Sequence, residues 1–282
     1  MIRRVGVVGC GLMGSGIVES AARAGYEVIV RELTPELLER GLSRIDASMK
    51  RAVERGKLEA AARDAARGRL HGTTALDELA GADLVVEAVI EKMDEKKAVL
   101  RDLDRIIAPE VILASNTSSL SITEMASVTG RADRVVGVHF FNPVPVMALV
   151  EIVRGLVTSD ETVRRVREFG QSLGKTVVVT RDTPGFIVNR LLIPYLLDAI
   201  RALELGVASR EDIDSAITLG LGHPMGPLTL LDFVGLDTTY YIAEAMFDEF
   251  KDARYAPPPL LKQMVLAGWH GRKSGRGFYE YG

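Results

Sequence analysis

The chain is short of several features, and each shortage removes a class of protein. Its 282 residues include one cysteine, Cys10, so no internal disulfide can form and a reducing, cytoplasmic setting is expected. Its longest apolar runs are strand-sized, which excludes a helix spanning a membrane. Positive charge is not in excess: the net charge is −3, so no global basic field recruits nucleic acid, and a polyanionic ligand needs a local basic patch. The opening Met1-Ile2-Arg3-Arg4-Val5 leads straight into a strand pattern, with no apolar core or cleavage site of a signal peptide. Repeats and low-complexity tracts are absent. A composition of 47% apolar and 26% charged residues is that of a soluble globular protein with one large domain or two smaller ones.

Apolar, β-branched runs recur at Val5–Val8, Val28–Val30, Leu84–Val89, Val111–Ala114, Val135–Val138, Leu149–Val153 and Val177–Val179. Most are apolar on both faces, as buried parallel strands are. Helical periods separate them at Gly14–Ala24, Lys92–Ile107 and Glu161–Leu173. Alternating strands and helices predict an α/β fold, a doubly wound parallel sheet. A helical insertion follows the second strand. Leu38, Leu42, Ile45, Met49 and Val53 form its apolar face, and Arg40, Arg44, Ser48, Arg51 and Arg55 line another. Gly56 is expected to break it, and a second helix to follow from about Leu58 to Arg67. Near Asp182-Thr183-Pro184-Gly185 the strand runs stop, and only helix periods continue. These are Phe186–Leu205 with Pro194 as a kink, Glu211–Leu219, Asp237–Phe250 and Leu260–Ala267. The expected division is 1–183 and 184–282, the second part all-α.

Gly9-Cys10-Gly11-Leu12-Met13-Gly14 is a G-x-G-x-x-G placed between a strand and a helix, the context that gives this motif meaning. Gly9 permits the tight turn, Gly11 lets backbone approach a pyrophosphate, and Gly14 lets helix and strand pack closely. Unpaired N–H groups and the helix dipole then favour phosphate. Such a Rossmann-type unit is expected to bind a dinucleotide; the alternative is a structural βα turn with no nucleotide. Glu32 closes the second strand, 23 residues after Gly9, where a carboxylate accepts from the ribose hydroxyls and repels a 2′-phosphate. NAD is therefore expected over NADP, although Arg31 could pair with that phosphate.

A nicotinamide cofactor implies hydride transfer, and the protein must then handle a proton. His139, in Val138-His139-Phe140-Phe141-Asn142-Pro143, lies near the end of a strand of the cofactor sheet, where ligands bind. Glu151 sits in the apolar run Ala148–Val153, where a carboxylate is costly unless paired. Paired, the two make a general acid/base, with Glu151 holding the tautomer and favouring imidazolium. Unpaired, they are a partly buried histidine and a strand-edge carboxylate. Ser118, in Ala114-Ser115-Asn116-Thr117-Ser118-Ser119-Leu120, either hydrogen-bonds the reacting oxygen or belongs to a polar turn. Asn189, inside an apolar helix, either reaches the substrate or links neighbouring helices. No metal-ligand pattern is expected.

With these stretches the chain resembles, over essentially its whole length, the short-chain L-3-hydroxyacyl-CoA dehydrogenase family, including bacterial 3-hydroxybutyryl-CoA dehydrogenases. The Asn-Thr-Ser-Ser and His-Phe-Phe-Asn-Pro blocks, at the family's interval, are far more specific than the glycine loop. The resemblance implies His139 as catalytic acid/base, Glu151 as its charge partner, and Ser118 and Asn189 at the substrate's reacting end. It implies dinucleotide contacts at Gly9, Gly11, Leu12, Met13, Gly14, Glu32, Glu91, Lys96, Ser118, Asn142 and Lys273. Ser48 and Arg55 match CoA contacts; relatives can carry Lys at the second position, so Arg55 keeps the charge and changes the geometry. The resemblance also implies a homodimer built by the helical C-terminal domain. The expected activity is reversible NAD-dependent oxidation of an (S)-3-hydroxyacyl-CoA, favouring the four-carbon pair. Three rivals remain open: a dehydrogenase of a free hydroxy or sugar acid, a lysine-based β-hydroxyacid dehydrogenase, and a non-catalytic NAD-binding protein.

Overall fold

A computed structural model of the chain describes residues 2–282. It divides into two compact units, one ending at Asp182 and one spanning Thr183–Gly282.

The first unit is an eight-stranded sheet flanked by helices. In chain order its elements are β1 (Arg4–Val8), α1 (Leu12–Arg23), β2 (Glu27–Arg31), α2 (Pro35–Glu54), α3 (Ala60–Gly68), β3 (Leu70–Thr73), β4 (Leu84–Glu87) and α4 (Met93–Ile106). They continue with β5 (Ile112–Ser115), α5 (Ile122–Ala126), β6 (Val135–Phe140), β7 (Leu149–Arg154), α6 (Asp160–Ser172) and β8 (Thr176–Arg181). The strand order is β3-β2-β1-β4-β5-β6-β7-β8. The order reverses around β1, placing the loop after β1 at a topological switch point, where doubly wound sheets bind ligands.

Side chains alternate faces along each strand. Val5, Val7, Val28, Val30, Val86, Val136 and Val138 meet Ile17 and Val18 of α1 and Val166 and Phe169 of α6 in one core cluster. Val85, Leu113 and Val135 are equally buried but lie outside that cluster, as do Leu100 and Leu103 of α4 and Ile122 and Met125 of α5. Both faces are therefore covered, which explains strands without polar alternation.

The sheet differs from an all-parallel one at a single joint. β6 and β7 pair antiparallel, and β8 then runs parallel to β7. Only eight residues, 141–148, separate β6 from β7. A parallel crossover needs a dozen or more, so the chain must turn back. β3, Leu70-His71-Gly72-Thr73, has no apolar run because it is the sheet's outer strand beside β2.

The helical insertion is held by ordinary end signals. Thr34 caps α2 by accepting from Leu37 N–H at 3.3 Å, and Pro35 occupies the first turn. Arg55 ends the helix, and Gly56 follows with φ of +65°.

The second unit is all-helical: α7 (Val188–Glu204), α8 (Arg210–Leu221), α9 (Pro227–Val234), α10 (Leu236–Phe250) and α11 (Pro259–Leu266). Pro194 lies within α7. The core joins Ile193, Leu197 and Ile200 to Leu228, Leu231, Ala243, Met246 and Leu261. Two buried carboxylates tie its segments together, one at the start of α9 and one at the C-terminal end of the chain. Asp214 accepts from Leu228 and Thr229 N–H, and Asp232 accepts from Phe278 and Tyr279 N–H. No helix among the described residues is long and apolar enough to cross a membrane.

Candidate active site

The glycine loop has the geometry its sequence demands. Gly9 adopts φ of +95°, and its N–H donates to Arg31 C=O at 2.9 Å. A Cβ at Gly14 would lie 1.9 Å from Gly9 O, so helix and loop approach as closely as atoms allow. A Cβ at Gly11 would meet nothing within 4 Å. That open space lies before the first turn of α1, formed by Leu12, Met13 and Gly14, whose N–H groups have no intrahelical acceptor. Space, free donors and the helix dipole together fit a pyrophosphate.

Glu32 follows β2 directly. Its Oε1 accepts from Cys10 N–H at 2.6 Å and its Oε2 from Leu33 N–H at 3.0 Å. The carboxylate thus sits against the phosphate loop, where a ribose edge belongs. Arg31 is committed elsewhere, donating from Nε to Thr74 C=O at 3.3 Å. Arg44 is not a purely solvated member of the basic stripe: its Nη1 donates to Cys10 C=O at 3.0 Å. Burial, and next the Glu32 charge, push the Cys10 thiol up to about 12, against a smaller opposing effect of Arg44. Cys10 is a packing residue of the core cluster.

His139 and Glu151 face each other directly across the β6–β7 ladder. The neighbours of each, Val138 and Phe140, Val150 and Ile152, point into the core cluster, so the pair points to the other face. Nδ1 of His139 and Oε2 of Glu151 are 2.7 Å apart. Glu151 is fully buried and His139 is 7% exposed. With an ionised carboxylate as acceptor, Nδ1 carries the hydrogen and Nε2 is the nitrogen that can exchange a proton. The Phe141 ring, centred 4.5 Å from the imidazole, packs against it.

Ser118 follows β5 and is held by Glu91. Glu91 Oε1 accepts from Ser118 N–H at 2.7 Å, Ser118 Oγ at 3.0 Å and Thr117 Oγ1 at 2.6 Å. Behind it Lys96, fully buried, bonds Glu87 at 2.8 Å and Glu91 at 3.2 Å. Glu87 also accepts from Ser115 Oγ at 2.6 Å and Val89 N–H at 2.7 Å. Lys96 therefore acts inside the protein, between two carboxylates. Burial works against the Glu91 charge, but Lys96, the Thr117 hydroxyl and the Ser118 N–H outweigh it and hold its carboxyl below the usual range. Sequence reasoning missed Glu87, although Leu-Val-Val-Glu carries the same signal as Glu151, a carboxylate in an apolar strand. It also missed Asn116, whose Oδ1 accepts from Phe140 N–H at 3.0 Å and ties the Ser118 loop to the end of β6.

Asn142 is exposed just past β6. Ser48 is half-buried in α2 and Arg55 is exposed at its C-terminal end, with Arg40 and Arg51 also exposed. Asn189 is buried in the first turn of α7, in the second unit. Lys273, also there, pairs with Asp237 at 2.6 Å. Among the described residues no group of three or more His, Cys, Asp or Glu side chains could hold a metal ion.

Comparison with known proteins gives the arrangement a family. Residues 4–183 match the model of the 3-hydroxyacyl-CoA dehydrogenase NAD binding domain, and residues 185–281 match that of the C-terminal domain. A 3-hydroxybutyryl-CoA dehydrogenase of Mycobacterium tuberculosis is 54% identical over 99% of both chains. The crystal structure of FadB2 from the same species superposes with a TM-score of 0.98 at 53% identity, covering 100% of this chain and 99% of that one. That of (S)-3-hydroxybutyryl-CoA dehydrogenase PaaH1 from Ralstonia eutropha gives 0.97 at 45% identity, covering 100% of each. Matched in both domains and along its whole length, the chain belongs to the 3-hydroxyacyl-CoA dehydrogenase family, oxidoreductases whose N-terminal domain binds NAD.

Proposed function

We propose that this protein is an NAD-dependent (S)-3-hydroxyacyl-CoA dehydrogenase that interconverts a 3-hydroxyacyl-CoA and its 3-ketoacyl-CoA, with the four-carbon pair preferred. The observation that carries the reading is the buried His139–Glu151 pair, 2.7 Å apart, on the sheet that also bears the glycine loop. A protein that only bound NAD would have no use for it. The four-carbon preference follows the names of the full-length relatives in M. tuberculosis and R. eutropha.

Gly9, Gly11, Leu12, Met13, Gly14 and Glu32 would hold the dinucleotide, with Asn142 as a further contact. Bound there, the nicotinamide supplies or accepts the hydride of C3. His139 does the proton work: Nε2 gives a proton to the C3 oxygen during reduction and takes it back during oxidation. Glu151 keeps the ring in the tautomer and orientation this requires. Ser118 bonds and positions the reacting oxygen. Glu91 and Lys96 act through Ser118 by holding its loop. Ser48 and Arg55 supply polar and cationic contacts for the CoA moiety, which a free hydroxy acid would not need. The charge of Glu32 favours NAD over NADP.

We also assign the second unit to dimer formation, because Leu191, Leu205, Leu219 and Leu221 there are 64–83% exposed. The lone thiol fits the cytoplasm.

The test is steady-state NADH oxidation with acetoacetyl-CoA, longer 3-ketoacyl-CoA substrates and free acetoacetate. The expected order is acetoacetyl-CoA first and the free acid negligible. Turnover of the free acid as fast as the thioester would remove the CoA reading, and a preference for long chains would remove the four-carbon one.

A further inference from the structure

The basic stripe of α2 contains one arginine that does not point simply to solvent. Arg44 reaches back from the helical insertion and donates to the carbonyl of Cys10, in the middle of the glycine loop. Glu32 accepts from the N–H of the same residue at 2.6 Å. A carboxylate and a guanidinium therefore hold opposite sides of one residue of the phosphate loop. The contact is built into the backbone: α2 comes so near that a Cβ at Gly41 would lie 2.3 Å from Cys10 Sγ. Arg44 itself stays exposed, with four further donor hydrogens on its guanidinium. Arg31, the other arginine beside Glu32, is turned toward Thr74.

We propose that Arg44 is a specificity-determining residue of the cofactor site, a cation able to bind the 2′-phosphate of an adenine dinucleotide and kept out of use by Glu32. The proposal rests on reading Glu32 as the ribose-binding carboxylate. A 2′-phosphate replaces one of the hydroxyls that carboxylate accepts from, and it brings about two negative charges to the same spot. Glu32 repels it. Arg44, anchored by one N–H to the loop, presents a fork suited to phosphate oxygens. With the carboxylate removed, the balance of charge at the loop becomes positive. Cofactor choice is then set by one charge, and the site for the rejected cofactor is already present.

Titration calorimetry of NADH and NADPH binding tests this on the parent, Glu32→Ser, Arg44→Gln and the double variant. Arg44→Lys in the Glu32→Ser background is the charge-preserving control. Glu32→Ser should tighten NADPH binding at least about tenfold and weaken NADH. Adding Arg44→Gln should abolish that gain, and Arg44→Lys should keep part of it. A double variant that binds NADPH as tightly as Glu32→Ser overturns the proposal. So does an Arg44→Gln loss that is equal for both cofactors in both backgrounds, since Arg44 would then only hold the loop. If Glu32→Ser leaves NADPH affinity at the parent's value, the reading of Glu32 falls and takes the proposal with it.

Discussion

His139 and Glu151 occupy opposed positions of an antiparallel ladder, and their side chains meet at 2.7 Å in the protein interior. Twelve residues apart in sequence, they become nearest neighbours because the chain reverses within the short segment between β6 and β7. The chemistry assigned to them makes a direct prediction. His139→Ala should lower kcat by roughly 10²–10⁴ while the Kd for NADH stays within about twofold of the parent. Glu151→Gln keeps the shape and removes the charge, so kcat should fall and KM move little. Single-turnover kinetics with calorimetric NADH binding checks both, and near-normal turnover in His139→Ala removes the assignment.

The glycine loop predicts a contrast between two similar substitutions. Gly14→Ala puts a methyl 1.9 Å from Gly9 O and should unfold or strongly destabilise the first unit. Gly11→Ala meets no protein atom, so its Tm should match the parent's, while NADH binding weakens at least about tenfold because the methyl fills the space for phosphate. Thermal melts beside cofactor titrations distinguish the two, and a stable Gly11→Ala protein with unchanged NADH affinity argues against a pyrophosphate there.

Lys96 and Glu87 form a pair with neither partner exposed. Lys96→Met strands the Glu87 charge in the interior and should cost about 3–5 kcal/mol. Glu87→Gln combined with Lys96→Met removes both charges and should recover much of that loss. Urea denaturation of the single and double variants measures the difference. A Lys96→Met variant as stable as the double one would mean that Glu87 carries no penalty when left without Lys96, and would overturn the prediction.

Glu91 makes stability depend on acid. Its folded carboxyl titrates below the ordinary value, so the ionised form is favoured by folding. That contribution is complete above the unfolded value of about 4.3 and is lost as pH falls through the lower folded one. Glu91→Gln should therefore melt below the parent at neutral pH, and the gap should close in acid. A gap that persists unchanged to the lowest pH at which both fold rules out charge as its source.

Cys10 should be silent toward thiol reagents. With its thiol pushed up to about 12, roughly one molecule in 10⁴ is ionised at pH 8, and the sulfur is buried. Mass spectrometry after iodoacetamide treatment should find the native protein unmodified and the unfolded protein alkylated.

Much of the fold could be read from residues because burial on both faces leaves continuous apolar runs, and a strand followed by G-x-G-x-x-G is a local pattern. The direction of β7 could not. Side-chain alternation is the same whichever way a strand runs, and only the length of the connection encodes the reversal. Leu70-His71-Gly72-Thr73 was invisible as a strand because an outer strand need not be apolar. In the site, His139 and Glu151 announced themselves as an acidic intruder and a plausible partner. Lys96 did not, since a lysine on an amphipathic helix reads as solvent-facing until the carboxylate of Glu87, nine residues earlier, is placed behind it. Arg44 was hidden as one of four similar arginines, and only the close approach of α2 at Gly41 singles it out.

The reversal of β7 also sets when the proposed acid–base pair, His139 and Glu151, becomes ordered. Once the β6–β7 ladder has formed both Cα atoms are fixed, and only a few side-chain torsions remain to be set to bring imidazole and carboxylate together. The entropy of aligning imidazole and carboxylate is surrendered once, during folding, and not again at each turnover. The rate should therefore follow the integrity of the ladder, falling abruptly with temperature where β6 and β7 part and changing only gradually below that point.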